Sequence, residues 1–236
     1  MARILITAGP TYEPIDAVRF IGNRSSGKLG SSLADRAVEL GWEVRILLGP
    51  NAVLPIEDGV DVVRFSSAKN LEDALGQHLA WCDCLVMAAA VADYRPKACE
   101  VDCSGKRRRT GADLSISLES TPDLLAGCSK NSRSNQLLVG FALEPAEELE
   151  ASALRKLAKK NVDLIVANPL ETMDADTIHA RLIGNQGRGM NFDQTTEGSI
   201  SKDAFASWLL GHLDALVAER LSSANTTTES TSHVEL

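Results

Sequence analysis

Arg3-Ile4-Leu5-Ile6-Thr7 and Glu43-Val44-Arg45-Ile46-Leu47-Leu48 bracket a helical pattern over residues 29–40, and the architecture is read from this passage. The two outer pieces are short, apolar and rich in β-branched residues, as strands buried in a sheet are. Between them Leu29, Leu33, Ala37 and Leu40 recur on one helical face, with Ser25 and Ser26 available as caps and Gly41 as the stop. The alternation continues along the chain. Ser66-Ser67 caps a helix reaching about Leu79, and 84–89 is a short, wholly apolar run. Leu114-Ser115-Ile116-Ser117-Leu118 alternates strictly, which predicts a strand with one covered face. Thr121-Pro122-Asp123 reads as a helix start with proline in the first turn. Strands are expected at 137–142 and 162–167, on either side of a helix over about 146–160. A further strand is expected at 178–183, and an amphipathic helix at 202–221 closes the pattern. Strands alternating with helices, several without a polar face, predict an α/β fold with a doubly wound, mostly parallel sheet covered on both sides. In such a sheet ligands sit beyond the carboxyl ends of the strands, which nominates 8–30, 90–93, Glu144 and Asn168.

The 236 residues include 24 Lys and Arg against 32 Asp and Glu, a formal charge of −8. That balance excludes a general nucleic-acid coat, which needs surplus cations against phosphate. Anionic ligands must then be drawn by local basic clusters. Met1-Ala2-Arg3 runs directly into the first strand with no room for a signal-peptide core. No stretch approaches the ~18 apolar residues of a membrane span, so a cytoplasmic chain without membrane partners is expected. Cys82, Cys84, Cys99, Cys103 and Cys128 are odd in number, which suits free thiols. Cys82-x-Cys84 with Cys99-x3-Cys103 offers four soft ligands. Cys84, however, opens a buried strand whose alternate side chains face opposite ways, so zinc is disfavoured. The polar run 222–230 predicts a disordered tail over 222–236 behind a single domain of residues 1–221.

Four clusters carry chemistry. The first lies in Ala8-Gly9-Pro10-Thr11-Tyr12-Glu13-Pro14-Ile15-Asp16-Ala17-Val18-Arg19-Phe20-Ile21-Gly22-Asn23-Arg24-Ser25-Ser26-Gly27-Lys28-Leu29-Gly30. A dinucleotide fingerprint packs three glycines tightly between strand and helix, so this long connection disfavours a nicotinamide site. Gly22-x4-Gly27-Lys28 has the outline of a Walker A loop, but Leu29 stands where Ser or Thr would hold magnesium, and the P-loop reading is rejected. What survives is a helix N-terminus at Ser25, Ser26 and Gly27 offering backbone N–H groups to an anion, flanked by Asn23, Arg24 and Lys28. The second cluster is Ala88-Ala89-Ala90-Val91-Ala92-Asp93-Tyr94-Arg95-Pro96. Its small residues let a flat ring or a sugar approach the backbone, while Asp93 can accept from a base or ribose or hold a metal. The third, Gly105-Lys106-Arg107-Arg108-Arg109, is either a solvated surface run or a basic flap over a triphosphate. Arginine suits bidentate phosphate contacts, and lysine a compact charge that follows a reacting oxygen. The fourth is Gly140-Phe141-Ala142-Leu143-Glu144 with Lys156 and Lys160, an i,i+4 pair that taken alone is a solvated helix face.

These segments, in this order, resemble the phosphopantothenate–cysteine ligase (phosphopantothenoylcysteine synthetase) family of coenzyme A biosynthesis. The resemblance covers about residues 2 to 220. It is carried by Glu13-Pro14-Ile15-Asp16-Ala17-Val18-Arg19-Phe20-Ile21, Asn23-Arg24-Ser25-Ser26-Gly27-Lys28-Leu29-Gly30, Ala89-Ala90-Val91-Ala92-Asp93-Tyr94-Arg95-Pro96, Thr121-Pro122-Asp123-Leu124, Val139-Gly140-Phe141-Ala142 and Asp163-Leu164-Ile165-Val166-Ala167-Asn168. It implies a Rossmann-like, cytoplasmic, homodimeric enzyme that uses CTP with Mg2+. Such an enzyme joins 4'-phosphopantothenate to L-cysteine through an acyl-cytidylate, releasing pyrophosphate and then CMP. The family domain is often fused behind a flavin-dependent decarboxylase, so a chain whose match starts at residue 3 is expected to work beside a separate decarboxylase. The resemblance makes Asn23 and Lys106 catalytic, and Asn23, Arg24 and Ser25 substrate-binding. It assigns the nucleotide to Gly9, Ser26, Gly27, Lys28, Ala88, Ala89, Asp93, Lys106, Pro122, Asp123, Phe141, Lys156 and Lys160. Metal ligands are not implied.

The chain departs from the family pattern in places. The Lys-x-Lys-Lys flap is Lys106-Arg107-Arg108-Arg109 in a longer loop. Ala-Ala-Glu-Thr is Ala142-Leu143-Glu144-Pro145, Asn-Asp is Asn168-Pro169, and the arginine of the first loop is Tyr12. Two other classes account for less of the chain. A dehydrogenase of the same fold pattern needs a Tyr-x3-Lys pair, and neither Tyr12 nor Tyr94 has lysine four residues on. A non-catalytic nucleotide-binding module explains the anion sites but gives no role to Asn23 together with a basic flap.

Overall fold

The computed structural model describes residues 1–108, 111, 113–173 and 175–231. In chain order the elements are β1 (Arg3–Ala8), β2 (Tyr12–Pro14), β3 (Phe20–Gly22), α1 (Lys28–Glu39), β4 (Glu43–Leu48), β5 (Val60–Arg64), α2 (Ala68–His78), β6 (Cys84–Met87), β7 (Tyr94–Pro96) and β8 (Leu118–Ser120). There follow α3 (Leu124–Asn131), β9 (Leu137–Glu144), α4 (Leu149–Lys160), β10 (Leu164–Pro169), β11 (Thr177–Ile178), β12 (Arg181–Gly184), β13 (Asp193–Thr195), β14 (Ile200–Ser201) and α5 (Lys202–Thr231).

Eight strands form the main sheet in the order β13-β12-β10-β9-β6-β1-β4-β5. The six from β5 to β10 run parallel, and β12 and β13 are antiparallel additions at one edge. The chain winds outward from β1 through β4 to β5, then returns to β6 on the other side of β1 and continues to β9 and β10. This is the Rossmann-like doubly wound order, and its direction reverses between β1 and β6. The strands read as continuous apolar runs because both faces are covered. Ile4, Ile6 and Ile46 pack with Leu33, Ala37, Phe205 and Leu209 of α1 and α5. Leu5, Leu47 and Leu85 pack with Leu71, Leu125 and Leu157 of α2, α3 and α4.

The structure corrects several local readings. Gly27 caps α1 in a left-handed conformation, φ 70°, without a side-chain cap bond. Of the two serines expected to cap it, Ser26 reaches only the Lys28 N–H, at 3.4 Å. Leu40 lies beyond the helix and is exposed. β5 has no apolar signature in the sequence because Asp61 and Arg64 break its pattern, as suits an edge strand paired with β4. The alternating run 114–118 does not form the expected strand. Leu118–Ser120 pairs with β7 in a two-stranded ribbon outside the main sheet, and Leu114 and Leu118 are exposed because no layer covers them. Pro122 precedes the cap of α3 instead of entering its first turn, since the Asp123 carboxylate accepts from the Ala126 N–H at 3.1 Å. The expected strand 178–183 divides into β11 and β12. Helix α5 is continuous through Thr231. Residues 232–236 lie outside the described residues. Among those described, no helix is long and apolar enough to cross a membrane.

Candidate functional site

Where β1 and β6 end side by side, their continuations stay joined beyond the sheet. Thr7 accepts the Ala88 N–H at its carbonyl, 3.1 Å, and the Ala89 N–H at its hydroxyl, 3.1 Å. Gly9 accepts from Ala90 at 2.9 Å, Ala90 accepts from Thr11 at 3.1 Å, and the Thr11 hydroxyl accepts from Ala92 at 3.0 Å. The two loops nominated by the strand-end rule therefore lie against each other. Gly9 (φ +83°) and Gly27 (φ +70°) turn tightly over this floor. A Cβ on either would stand 2.7 or 2.6 Å from the Ala52 Cβ, so a side chain there would push the start of α1 away. The first N–H groups of α1, without a side-chain cap, supply positive helix-end dipole at the strand ends.

Asn23 crosses from the β2–β3 hairpin to this floor, its Nδ2 donating to the Val91 carbonyl at 3.1 Å. Arg24 and Ser26 are exposed and Ser25 is half-buried, all just before Gly27. Lys28 points elsewhere: its Nζ pairs with Asp176 at 2.7 Å, and that hydrogen bond raises the ammonium pKa above the usual lysine range. Both partners are exposed, so the pair is weak and readily exchanged for another anion.

Beside the switch point lies a cavity of about 490 Å³ lined by Met87, Ala89, Val91, Asp93, Tyr94, Ser120, Thr121, Pro122, Asp123, Leu124, Leu125, Phe141 and Lys160. It gathers six of the residues assigned to a nucleotide (Ala89, Asp93, Pro122, Asp123, Phe141 and Lys160) from four separate segments. Thr121 lashes the β7–β8 ribbon to the strand end, donating its N–H to Asp93 at 2.9 Å and its hydroxyl to Ala92 at 2.5 Å. Gly140 lets α3 settle on β9, because a Cβ there would stand 2.5 Å from Leu125 Cδ2. The Lys160 Nζ lies 3.2 Å from Asp123 Oδ1. One turn earlier on α4, Lys156 is outside the lining and bonds Glu144 Oε1 at 2.9 Å, where the Ser152 hydroxyl also donates. The Lys156 hydrogen bond, against the opposing effect of burial, holds the Glu144 acid below its usual value. Tyr94 and Thr121 belong to stretches singled out in the sequence without being assigned to the site, and Ser120 had no signal, since the ribbon that brings them here pairs segments far apart. Asn168 was nominated only by its strand end. Its Nδ2 donates to the Thr172 hydroxyl at 2.7 Å, while Oδ1 is buried with no hydrogen-bond partner among the described residues.

The basic run does not line the cavity. Lys106 and Arg108 are exposed, whereas the Arg107 guanidinium turns back to the Glu100 carbonyl, with the Glu100 carboxylate at 3.8 Å. Arg109 lies outside the described residues. Cys82, Cys84 and Cys128 are buried, and burial pushes the Cys82 and Cys128 thiols up to about 12. Cys99 and Cys103 are exposed. No three His, Cys, Asp or Glu side chains cluster as a metal site among the described residues.

Fold and site together define a Rossmann-like α/β protein with a ligand-sized cavity at its switch point. The chain matches, over residues 1–216, the family described as the DNA/pantothenate metabolism flavoprotein C-terminal domain, and it belongs to that family. It is 39% identical over 206 residues to a cysteine/cysteine sulfinic acid decarboxylase from an unknown prokaryotic organism, covering 85% of this chain and 56% of that protein. It is 36% identical over 227 residues to the coenzyme A biosynthesis bifunctional protein CoaBC of Mycobacterium bovis, covering 93% of this chain and 50% of that one. The chain thus spans about half the length of these curated relatives. The crystal structure of the C-terminal domain of a CoaBC protein superposes with a TM-score of 0.75 at 34% identity, covering 92% of this chain and 96% of that one.

Proposed function

We propose that this chain is a phosphopantothenate–cysteine ligase of coenzyme A biosynthesis. The observation that carries the reading is the cavity at the β1–β6 switch point, where Ala89, Asp93, Pro122, Asp123, Phe141 and Lys160 converge beside the open N-terminus of α1. The likeness to the C-terminal domain of CoaBC supports it. In the first half-reaction the carboxylate of 4'-phosphopantothenate attacks the α-phosphorus of CTP, forming an acyl-cytidylate and releasing pyrophosphate. In the second, the amino group of L-cysteine attacks the acyl carbon, forming the amide and releasing CMP. Two anions must meet on a chain of formal charge −8, so their repulsion has to be offset locally. The helix N-terminus, Lys160, Lys156 and flap Lys106 supply that charge, and Asn23 holds the oxygen on which charge builds. A magnesium ion accompanying a triphosphate is held by one or two carboxylates together with phosphate oxygens. Asp93 and Asp123 line one cavity and are a hard oxygen set that fits such an ion, which when bound neutralises phosphate charge. The buried Asn168 Oδ1 is a further acceptor at the same strand edge.

The reading includes a cytoplasmic homodimer and a decarboxylase acting on the product; the bifunctional name of the mycobacterial relative supports the second activity. The test is pyrophosphate release measured with each substrate omitted in turn. The expected result is release that requires both 4'-phosphopantothenate and CTP, with ATP a poor substitute, and amide that appears only when L-cysteine is added. Release that ignores 4'-phosphopantothenate, or no release with both present, would overturn the ligase reading.

A further inference from the structure

We infer that Asp16 is a positioning residue, a latch that joins the basic flap to the β2–β3 hairpin and so fixes the place of Lys106. The inference rests on the reading above, in which Lys106 serves the first half-reaction. Asp16 is 3% exposed, and its two oxygens divide their work. Oδ1 accepts the Val18 and Arg19 N–H groups, both at 2.8 Å, closing the hairpin turn. Oδ2 accepts Arg19 Nη1 at 2.7 Å and, from 91 positions along the chain, the Arg107 N–H at 3.1 Å. Three further bonds bind the same two segments. Asp102 N–H donates to the Ile15 carbonyl at 3.2 Å, Ala17 N–H to Gly105 at 3.2 Å, and Arg19 Nη1 to the Arg107 carbonyl at 3.3 Å. Backbone groups of Gly105 and Arg107 are therefore pinned on either side of Lys106, whose own side chain is exposed.

A turn-closing role alone would need only Oδ1. Oδ2 is what reaches the flap, and an Asn amide in its place would turn either its nitrogen toward these donors or its only oxygen away from the turn. Burial pushes the acid upward, yet the Val18, Arg19 and Arg107 amides and the Arg19 guanidinium outweigh it and bring the carboxyl to about 2. The latch is thus charged at every pH where the enzyme would work.

The experiment uses the full chain as wild type, Asp16→Asn, Lys106→Gln and the double variant. It reads single-turnover pyrophosphate formation from CTP and 4'-phosphopantothenate without cysteine, together with the rate of tryptic cleavage after Arg108 and the melting temperature. Asp16→Asn is expected to slow pyrophosphate formation about tenfold, with the double variant no slower than Lys106→Gln, because both act through one side chain. Cleavage after Arg108 should quicken several-fold. Unchanged cleavage, or effects that multiply in the double variant, would overturn the latch. A wild-type rate in Lys106→Gln overturns instead the assignment of Lys106, and cleavage still reports on the latch separately. Should Asp16→Asn fail to fold, Arg107→Pro deletes the N–H that Oδ2 accepts and leaves the hairpin turn intact. The latch then requires the same quickened cleavage after Arg108.

Discussion

Asn23 ties the hairpin to the extension of β6 through one amide hydrogen and is itself exposed. Removing a donor that meets developing charge costs about 3 kcal/mol, roughly a hundredfold in rate. Asn23→Ala is therefore expected to bind CTP normally and to form amide about a hundredfold more slowly; amide at the normal rate would remove Asn23 from the mechanism. Asp16 sets a pH dependence. Its folded value of about 2 lies below the ordinary 3.8, so its contribution is full above the ordinary value and is lost as pH falls through about 2. Protection of the Val18, Arg19 and Arg107 amides, measured against their intrinsic exchange rates, should hold down to about pH 4 and fall below it. At this scale the sequence marked Asn23 and the Ser26-Gly27 turn, because their chemistry is local. It marked neither the second oxygen of Asp16 nor the orphan oxygen of Asn168, whose meaning depends on what packs beside them.

Helix α1 reaches the strand ends only because Gly30 carries no side chain, since a Cβ there would come 2.3 Å from the Ala8 Cβ. Gly30→Ala should push the helix off β1, cost about 1–3 kcal/mol, and weaken CTP binding along with the melting temperature. Gly211 on the exposed face of α5 meets nothing within 4 Å of an added Cβ. Gly211→Ala should instead stabilise by about 1 kcal/mol, and equal melting temperatures for the two variants would refute the close approach at Gly30. The strands with both faces buried were legible as elements because their composition is uniform over several residues. β5 escaped notice because an edge strand needs less apolar surface. The 114–118 run misled because alternation reports a pattern without saying whether any layer covers it.

Across the whole molecule, Asp163 draws distant segments together. Fully buried, it accepts Arg188 Nε at 2.8 Å, Arg220 Nη2 at 2.7 Å and the Leu138 N–H at 2.8 Å. This ties α5 and the turn after β12 to the start of β9. Breaking a buried pair from one side leaves charge uncompensated, so Asp163→Ala should cost about 3–5 kcal/mol in urea unfolding. A loss under about 1 kcal/mol would mean that the pair behaves like an exposed one.

Periodicity, capping chemistry and small motifs act over a few neighbouring residues, and for that reason the alternation of strands and helices and the start of α1 after Gly27 could be read from the chain alone. Which strands become neighbours is settled by packing over long separations, through burial of two apolar faces at once. That packing made the β1–β6 switch point, drew Ala89, Phe141 and Lys160 around one cavity, kept Lys156 just outside it, and brought the Arg107 amide to Asp16 from 91 positions away.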